Sequence, residues 1–218
     1  MAKPADVWTS YFYPGTQVLR NKPDIQDQDT LQAVEYLNGA SAELSNSTGE
    51  SSLEGSDAGS RLCSAHNLAF GALYEWAGAL RKVNIQKGGH HFGDHASMGM
   101  YLRHIGKAIE NFKWETTDFN DTLRYLAKIH TDLNFAHPFR EGNGRATKIF
   151  MTDLSRQHGV ELAFCEVDAN TWNQASSDSF MDPYGLHLNY EPMLDVYKSI
   201  AMPKQPGEVS SHAQRPNH

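Results

Sequence analysis

Three observations predict an all-α chain. Apolar residues recur at spacings of three and four through most of the long segments. Only one stretch, around Gly88 and Gly89, has an extended character. At 218 residues with 39% hydrophobic content, the chain can bury one substantial core but is short for two full-sized domains.

From Asp27 to about Leu44, Leu31, Val34 and Leu37 are spaced by three among good helix formers, which predicts a helix. Residues 45–60, SNSTGESSLEGSDAGS, hold almost no large apolar side chain, so burial cannot offset their ordering entropy and a mobile inserted loop is expected. Leu62 to Leu80 returns to a helical pattern through His66, Phe70, Leu73, Tyr74 and Ala77, with an end expected near Gly78. Between Arg81 and His95, Val83, Ile85 and the Gly88-Gly89 pair predict a small β-hairpin.

Helical periodicity resumes over 97–112, where Met98, Leu102, Ile105 and Ile109 share a face and Ser97 is a candidate N-cap. It continues over 118–135 with Leu123, Leu126, Ile129 and Leu133. A loop follows, then a helix from about Asn143 to His158 that Gly159 should stop, with Ile149, Phe150 and Leu154 on its buried side. Weaker patterns predict helices at 168–179 and 190–201, and the polar residues 204–218 are expected to be a disordered tail. The helical spacing of Trp76, Trp114, Trp172, Phe70, Phe112 and Phe150 favours core packing over a base-stacking platform. By the same logic His66 is expected to be a hydrogen-bonded core histidine.

A formal net charge of −7 argues against broad nucleic-acid or membrane-surface binding, and no apolar run approaches the roughly 20 residues that span a bilayer. The start, MAKPADVW, lacks the apolar stretch of a secretory signal, and Cys63 and Cys165 make no disulfide framework. A reducing cytoplasm is the expected location, with both thiols as small core residues.

Chemistry concentrates in His137 to Arg145, HPFREGNGR, which combines an imidazole, a carboxylate, two glycines in a turn and a guanidinium between two helical stretches. A phosphate above Gly142-Asn143-Gly144 would meet unpaired N–H groups at a helix start, and glycines allow that close approach. Arg145 offers a bidentate fork, and Lys148, three residues on, is expected on the same helix face. Glu141 beside a phosphate cradle implies a bridging cation, Mg2+ with several waters. His137, with an ordinary pKa of about 6.5, can be neutral and accept a proton.

This stretch resembles, position by position from His137 to Arg145, the signature of the Fic family, HPFx[D/E]GNGRxx[R]. YFYPGTQVLRNK near the start, EWAGALRKVNI and the KGGHHF turn look like the corresponding Fic stretches, so the likeness extends over roughly residues 10–200. Within the family the sequence looks closest to the short bacterial class I FicT-type toxins. The resemblance implies a helical bundle with a β-hairpin flap over the active site. It divides the chain into a single Fic domain at 1–203, with the flap at about 81–95 and the catalytic loop at 137–145, followed by the tail. The implied activity is transfer of AMP from ATP to a protein hydroxyl.

Carried over by position, His137 would deprotonate the target hydroxyl and Glu141 would hold Mg2+ against the α- and β-phosphates. Gly142, Asn143 and Gly144 would form the anion hole, Arg145 would bind the β- and γ-phosphates, and Phe139 and Lys148 would complete the nucleotide contacts. Lys87, Gly88, Gly89, His90, His91 and Phe92 would hold the target by strand-like pairing, although His90 and His91 are equally read as exposed turn residues. One departure is Lys148, where the family usually has a second arginine: a point charge replaces a bidentate fork.

The family's inhibitory motif [S/T]xxxE[G/N] is missing, since Glu50 stands where Ser or Thr is needed before Glu54-Gly55, and His187 stands four before Glu191. The resemblance therefore implies a separate small antitoxin carrying that motif. It ranks type II topoisomerases first as targets, through the ATPase subunits of DNA gyrase and topoisomerase IV, with a tyrosine as acceptor and no direct contact with nucleic acid. Transfer of another phosphate-containing group (UMP, phosphocholine or phosphate) and a catalytically silent binding module are the alternatives. A zinc site at His90, His91, Asp94 and His95 is a further rival, weakened because a glycine-rich hairpin preorganises adjacent histidines poorly.

Overall fold

Helices and two small two-stranded sheets make up residues 4–204, the part of the chain that the structure, a computed structural model, describes. The helices are α1 (Pro4–Ser10), α2 (Gln28–Thr48), α3 (Ala58–Phe70), α4 (Met98–Asn111), α5 (Phe119–Ala136), α6 (Asn143–Gln157), α7 (Ala169–Asp178) and α8 (Glu191–Ile200). The strands are β1 (Gln86–Lys87) and β2 (His90–His91), forming a hairpin, and β3 (Val160–Leu162) paired antiparallel with β4 (Ala201–Pro203). The expected tail lies outside the described residues from 205 onward.

The architecture is the expected helical one, centred on α5 and α6. Helix α5 packs against α4, α6 and α8, and α6 packs against α2, α3 and α5. On α5 the predicted stripe is the buried one, with Leu123, Leu126, Ile129 and Leu133 at most 2% exposed. Each such side chain contributes about 1.5–3 kcal/mol by leaving water, so this face sets how α5 lies. Asp118 caps its start by accepting from the Asp121 N–H at 2.9 Å. The loop between α5 and α6 is therefore held at both ends by the best-packed helices of the fold.

Several expectations change. The mobile loop at 45–60 is not found: α2 runs on to Thr48 because the buried Asn46 donates to the Ile149 carbonyl at 3.1 Å and its own carbonyl accepts from Arg156 Nη1 at 3.0 Å. Leu53 is buried, and Asp57 and Ser60 form a capping box that starts α3. Helix α3 ends at Phe70 rather than near Gly78. The spacing of Phe70, Leu73, Tyr74 and Ala77 is met instead by successive turns, with Tyr74 N–H on the Phe70 carbonyl and Ala77 N–H on that of Tyr74.

Leu37 of the predicted spacing is 65% exposed, and Cys165, expected as a core thiol, is exposed. Ser97 sits at the N-cap of α4 without making a side-chain capping bond. Helix α1 and the β3–β4 pair, both too short for periodicity to reveal, were not anticipated. No helix among the described residues is long and apolar enough to cross a membrane.

Candidate active site

His137 ends α5 in the left-handed region, at φ 46 and ψ 60, an unusual place for a residue with a Cβ. Its N–H still donates to the Leu133 carbonyl at 2.9 Å, and its own carbonyl accepts from Arg81 Nε at 2.8 Å. Arg81 is 3% exposed, and its guanidinium also donates to the carbonyls of Val83, Gly93 and Ala136, tying the flap's base to the end of α5. Such a network offsets the cost of burying a guanidinium and holds the strained turn.

The imidazole of His137 stacks on Phe92 with centroids 3.7 Å apart. Nδ1 lies 3.2 Å from the Asn134 carbonyl. A carbonyl only accepts, so Nδ1 carries the hydrogen and Nε2 the lone pair. Burial lowers the pKa of this ring to about 3, with the Arg81 and Lys87 charges acting in the same direction against the Asn134 bond. The ring is thus neutral at physiological pH, with the Nε2 lone pair available to accept a hydrogen bond.

Gly142 caps α6 at φ 79, and a Cβ there would sit 2.3 Å from the Phe70 ring, so both backbone and space require glycine. The first N–H groups of α6 have no intrahelical acceptor and face anions favourably. The Asn143 side chain turns inward: Oδ1 accepts from Phe139 N–H at 2.8 Å and Nδ2 donates to the Phe139 carbonyl at 2.9 Å. Its contribution to an anion hole is therefore its main chain. Glu141 projects with its side chain 48% exposed, touched by Gly142 N–H at 3.2 Å and Arg140 at 3.9 Å.

Arg145 and Lys148 share α6 but reach different neighbours. Arg145 lies over the Phe70 ring at 4.4 Å, with Nη1 donating to the Glu35 carbonyl at 2.9 Å and Nη2 3.4 Å from its carboxylate. Glu35 also accepts from the Tyr74 hydroxyl, so α2 supports this cation through a carboxylate already held in place. Lys148 sits over Trp172 at 4.4 Å. Burial lowers its pKa while the Glu43 carboxylate opposes that shift. Burial in turn raises the pKa of Glu43, against the charges of Lys148 and Arg145.

These groups open onto one cavity of about 520 Å³. His137, Glu141, Gly142, Asn143, Gly144, Arg145 and Lys148 line one side. From the flap come Lys87, Gly88, His90 and Phe92, and from α7 Trp172, Asn173 and Ser177. Phe139 is a correction: it is 0% exposed, stacked on His66 at 3.9 Å, and lies in the core rather than in the cavity. His91 faces away, stacking on Tyr184, and Gly89 is at the open hairpin tip. Trp172 is both core, at 8% exposed, and cavity wall.

Among the described residues no group of three or more His, Cys, Asp or Glu side chains could hold a metal, which leaves the zinc reading without ligands. A single exposed carboxylate next to an anion cradle fits Mg2+, which keeps most of its waters and shares phosphate oxygens. Glu35, Glu43, Tyr74 and Arg81 were missed as site residues. All four act across long sequence separations, and no local spacing marks them.

Residues 59–154 match the family described as the Fic/DOC family. The chain is 31% identical over 175 residues to the protein adenylyltransferase VbhT of Bartonella schoenbuchensis, covering 78% of this chain and 35% of that protein. It therefore spans about a third of VbhT. It is 30% identical over 178 residues to the probable protein adenylyltransferase y4lH of Sinorhizobium fredii, covering 77% of this chain and 86% of that one. Its fold is similar to that of the BepC protein of Bartonella tribocorum, crystallised with bound AMPPNP, at a TM-score of 0.79 and 22% identity, over 90% of this chain and 98% of that one.

Proposed function

Because the chain belongs to the Fic/DOC family, we propose that it is a protein adenylyltransferase, moving AMP from ATP to a hydroxyl of a target protein. The single observation that carries this reading is the pairing of a neutral imidazole, with Nε2 as its lone-pair nitrogen, and a glycine-capped helix start in one cavity. In this reading Nε2 of His137 takes the proton of the acceptor hydroxyl as its oxygen bonds to the α-phosphorus. The bond from that phosphorus to the β-phosphate oxygen breaks, and pyrophosphate leaves. The N–H groups at the start of α6 and the cation of Arg145 stabilise the charge that develops on the phosphate oxygens. Glu141 would hold Mg2+, which supplies charge neutralisation between the phosphates when bound.

The finer assignments rest on the likeness to FicT-type toxins. In them, residues 1–203 act as one Fic domain, with 81–95 as the flap that pairs with the target main chain and 137–145 as the catalytic loop. The acceptor is a tyrosine in the ATPase subunit of a type II topoisomerase. The missing [S/T]xxxE[G/N] motif supports inhibition by a separate antitoxin in the cytoplasm. The test is incubation of the chain with Mg2+ and α-labelled ATP in a bacterial lysate beside His137→Ala. Label on discrete protein bands with wild type alone is expected, and equal label in both lanes would refute the mechanism. A γ-labelled control separates AMP transfer from phosphate transfer.

A further inference from the structure

We propose that His66, which lines no part of the cavity, is a positioning residue for the phosphate cradle, setting the orientation of the Glu141–Gly142 peptide; this rests on the transferase reading above. His66 is on α3, 0% exposed, with its ring stacked on Phe139 at 3.9 Å and tilted against Phe70 at 4.9 Å. Both ring nitrogens are engaged. The Gly78 N–H donates to Nδ1 at 2.8 Å, so Nδ1 is the acceptor and the hydrogen sits on Nε2, which donates to the Glu141 carbonyl at 2.9 Å.

That carbonyl belongs to the peptide whose nitrogen is Gly142. In a trans peptide the C=O and N–H point in opposite directions. Anchoring the carbonyl inward on His66 therefore turns the Gly142 N–H outward, where it lies 3.2 Å from Glu141 Oε1. Gly142 sits at φ 79, and glycine is the residue least able to resist rotation of the peptide before it. The same freedom that lets the turn approach a phosphate leaves its peptide plane undetermined locally, and a buried N–H donor from α3 determines it. A hydrophobic ring of the same size would fill the space but leave the Glu141 carbonyl and the Gly78 N–H unpaired.

The two roles order the variants oppositely. His66→Phe keeps the stacking and loses both hydrogen bonds, whereas His66→Gln loses the ring and keeps an N–H that can reach the Glu141 carbonyl. If His66 positions the peptide, His66→Phe melts cooperatively but binds Mg2+–ATP about tenfold or more weakly, with KM raised more than kcat is lowered, and His66→Gln recovers most of that binding. Calorimetric titration of the full chain with Mg2+–ATP reads this without any target protein. Wild-type binding by His66→Phe together with weakened binding by His66→Gln would overturn the proposal and make His66 a core filler. Should His66→Phe fail to fold, His66→Asn, too short to reach the carbonyl, replaces it: Asn weaker than Gln sustains the proposal, and equal binding by the two overturns it. Wild-type chain that binds Mg2+–ATP but labels no protein would sink the transferase reading and leave the His66 comparison standing as a test of the cradle.

Discussion

The turn between α5 and α6 is pinned from three sides, by Arg81 on the His137 carbonyl, His66 on that of Glu141 and the Asn143 side chain on both backbone groups of Phe139. At the tip of the flap, Gly88 and Gly89 take φ 58 and 84, and a Cβ on either would meet nothing within 4 Å. The flap is tied lower down, through His91 N–H to Pro183, Gly93 N–H to Phe135, Arg81 to the Gly93 carbonyl and the stack of Phe92 on His137. Two glycine turns that look alike in sequence thus do different work. Groups that must meet a reacting phosphorus need placement to about 0.5 Å, which takes buried hydrogen bonds from several elements. In the proposed function the tip meets the target protein, and its open surroundings leave it free to adapt.

The largest test of that division removes the base. His137→Ala should lower kcat for AMP transfer by about 10²–10⁴-fold while leaving Mg2+–ATP affinity within about twofold, as measured by turnover and titration on the same preparation. A comparable loss of nucleotide binding would mean that the pinned turn depends on its first side chain and not on Arg81, His66 and Asn143.

Next, one methyl group on each turn compares their packing directly. Gly142→Ala places a Cβ 2.3 Å from Phe70 at φ 79 and should cost about 2–5 kcal/mol, combining left-handed strain with overpacking. Gly88→Ala meets open space and should cost only the strain, about 1–2 kcal/mol. Denaturant melts of the two variants check the difference, and equal costs would show that the tip is as constrained as the loop.

The smallest effect is a pH slope from buried histidines on α3 and α5, the helices behind the turn. His66 and His130 are at most 2% exposed, and burial lowers their pKa values to about 4 and about 3. The unfolded chain protonates both near about 6.5, so it binds protons the folded chain does not as pH falls from there. Stability should be full above that pH and fall, by up to about 1.4 kcal/mol per pH unit for each ring, down to the folded values. Unfolding free energies at pH 7.5, 6 and 5 measure the slope, and His66→Gln should remove the share of one ring. A flat profile over this range would show that these rings are hydrated.

The long helices were legible because their signals lie between near neighbours: the stripe from Leu123 to Leu133 and the glycines that turn the chain, Gly142 and Gly159. The HPFREGNGR run was legible for the same reason, since a cradle at a helix start is built from consecutive residues. Composition misled at 45–60, where a polar stretch stays ordered because Asn46 bonds to a carbonyl 103 residues away. Arg145 was recognised, but not that Glu35, 110 residues earlier, would hold it.

By itself, then, the sequence determined most of the helices, the hairpin, the glycine turn and the histidine with its neighbouring cations, because periodicity and φ preferences act within a few residues. Only the tertiary structure decided that Phe139 faces the core, that Arg81 joins flap to loop and that His66 aims the Glu141 peptide. Those outcomes depend on which buried donors the packing of α2, α3 and α5 brings against the turn, and a hydrogen bond between distant residues exists only once their helices are placed.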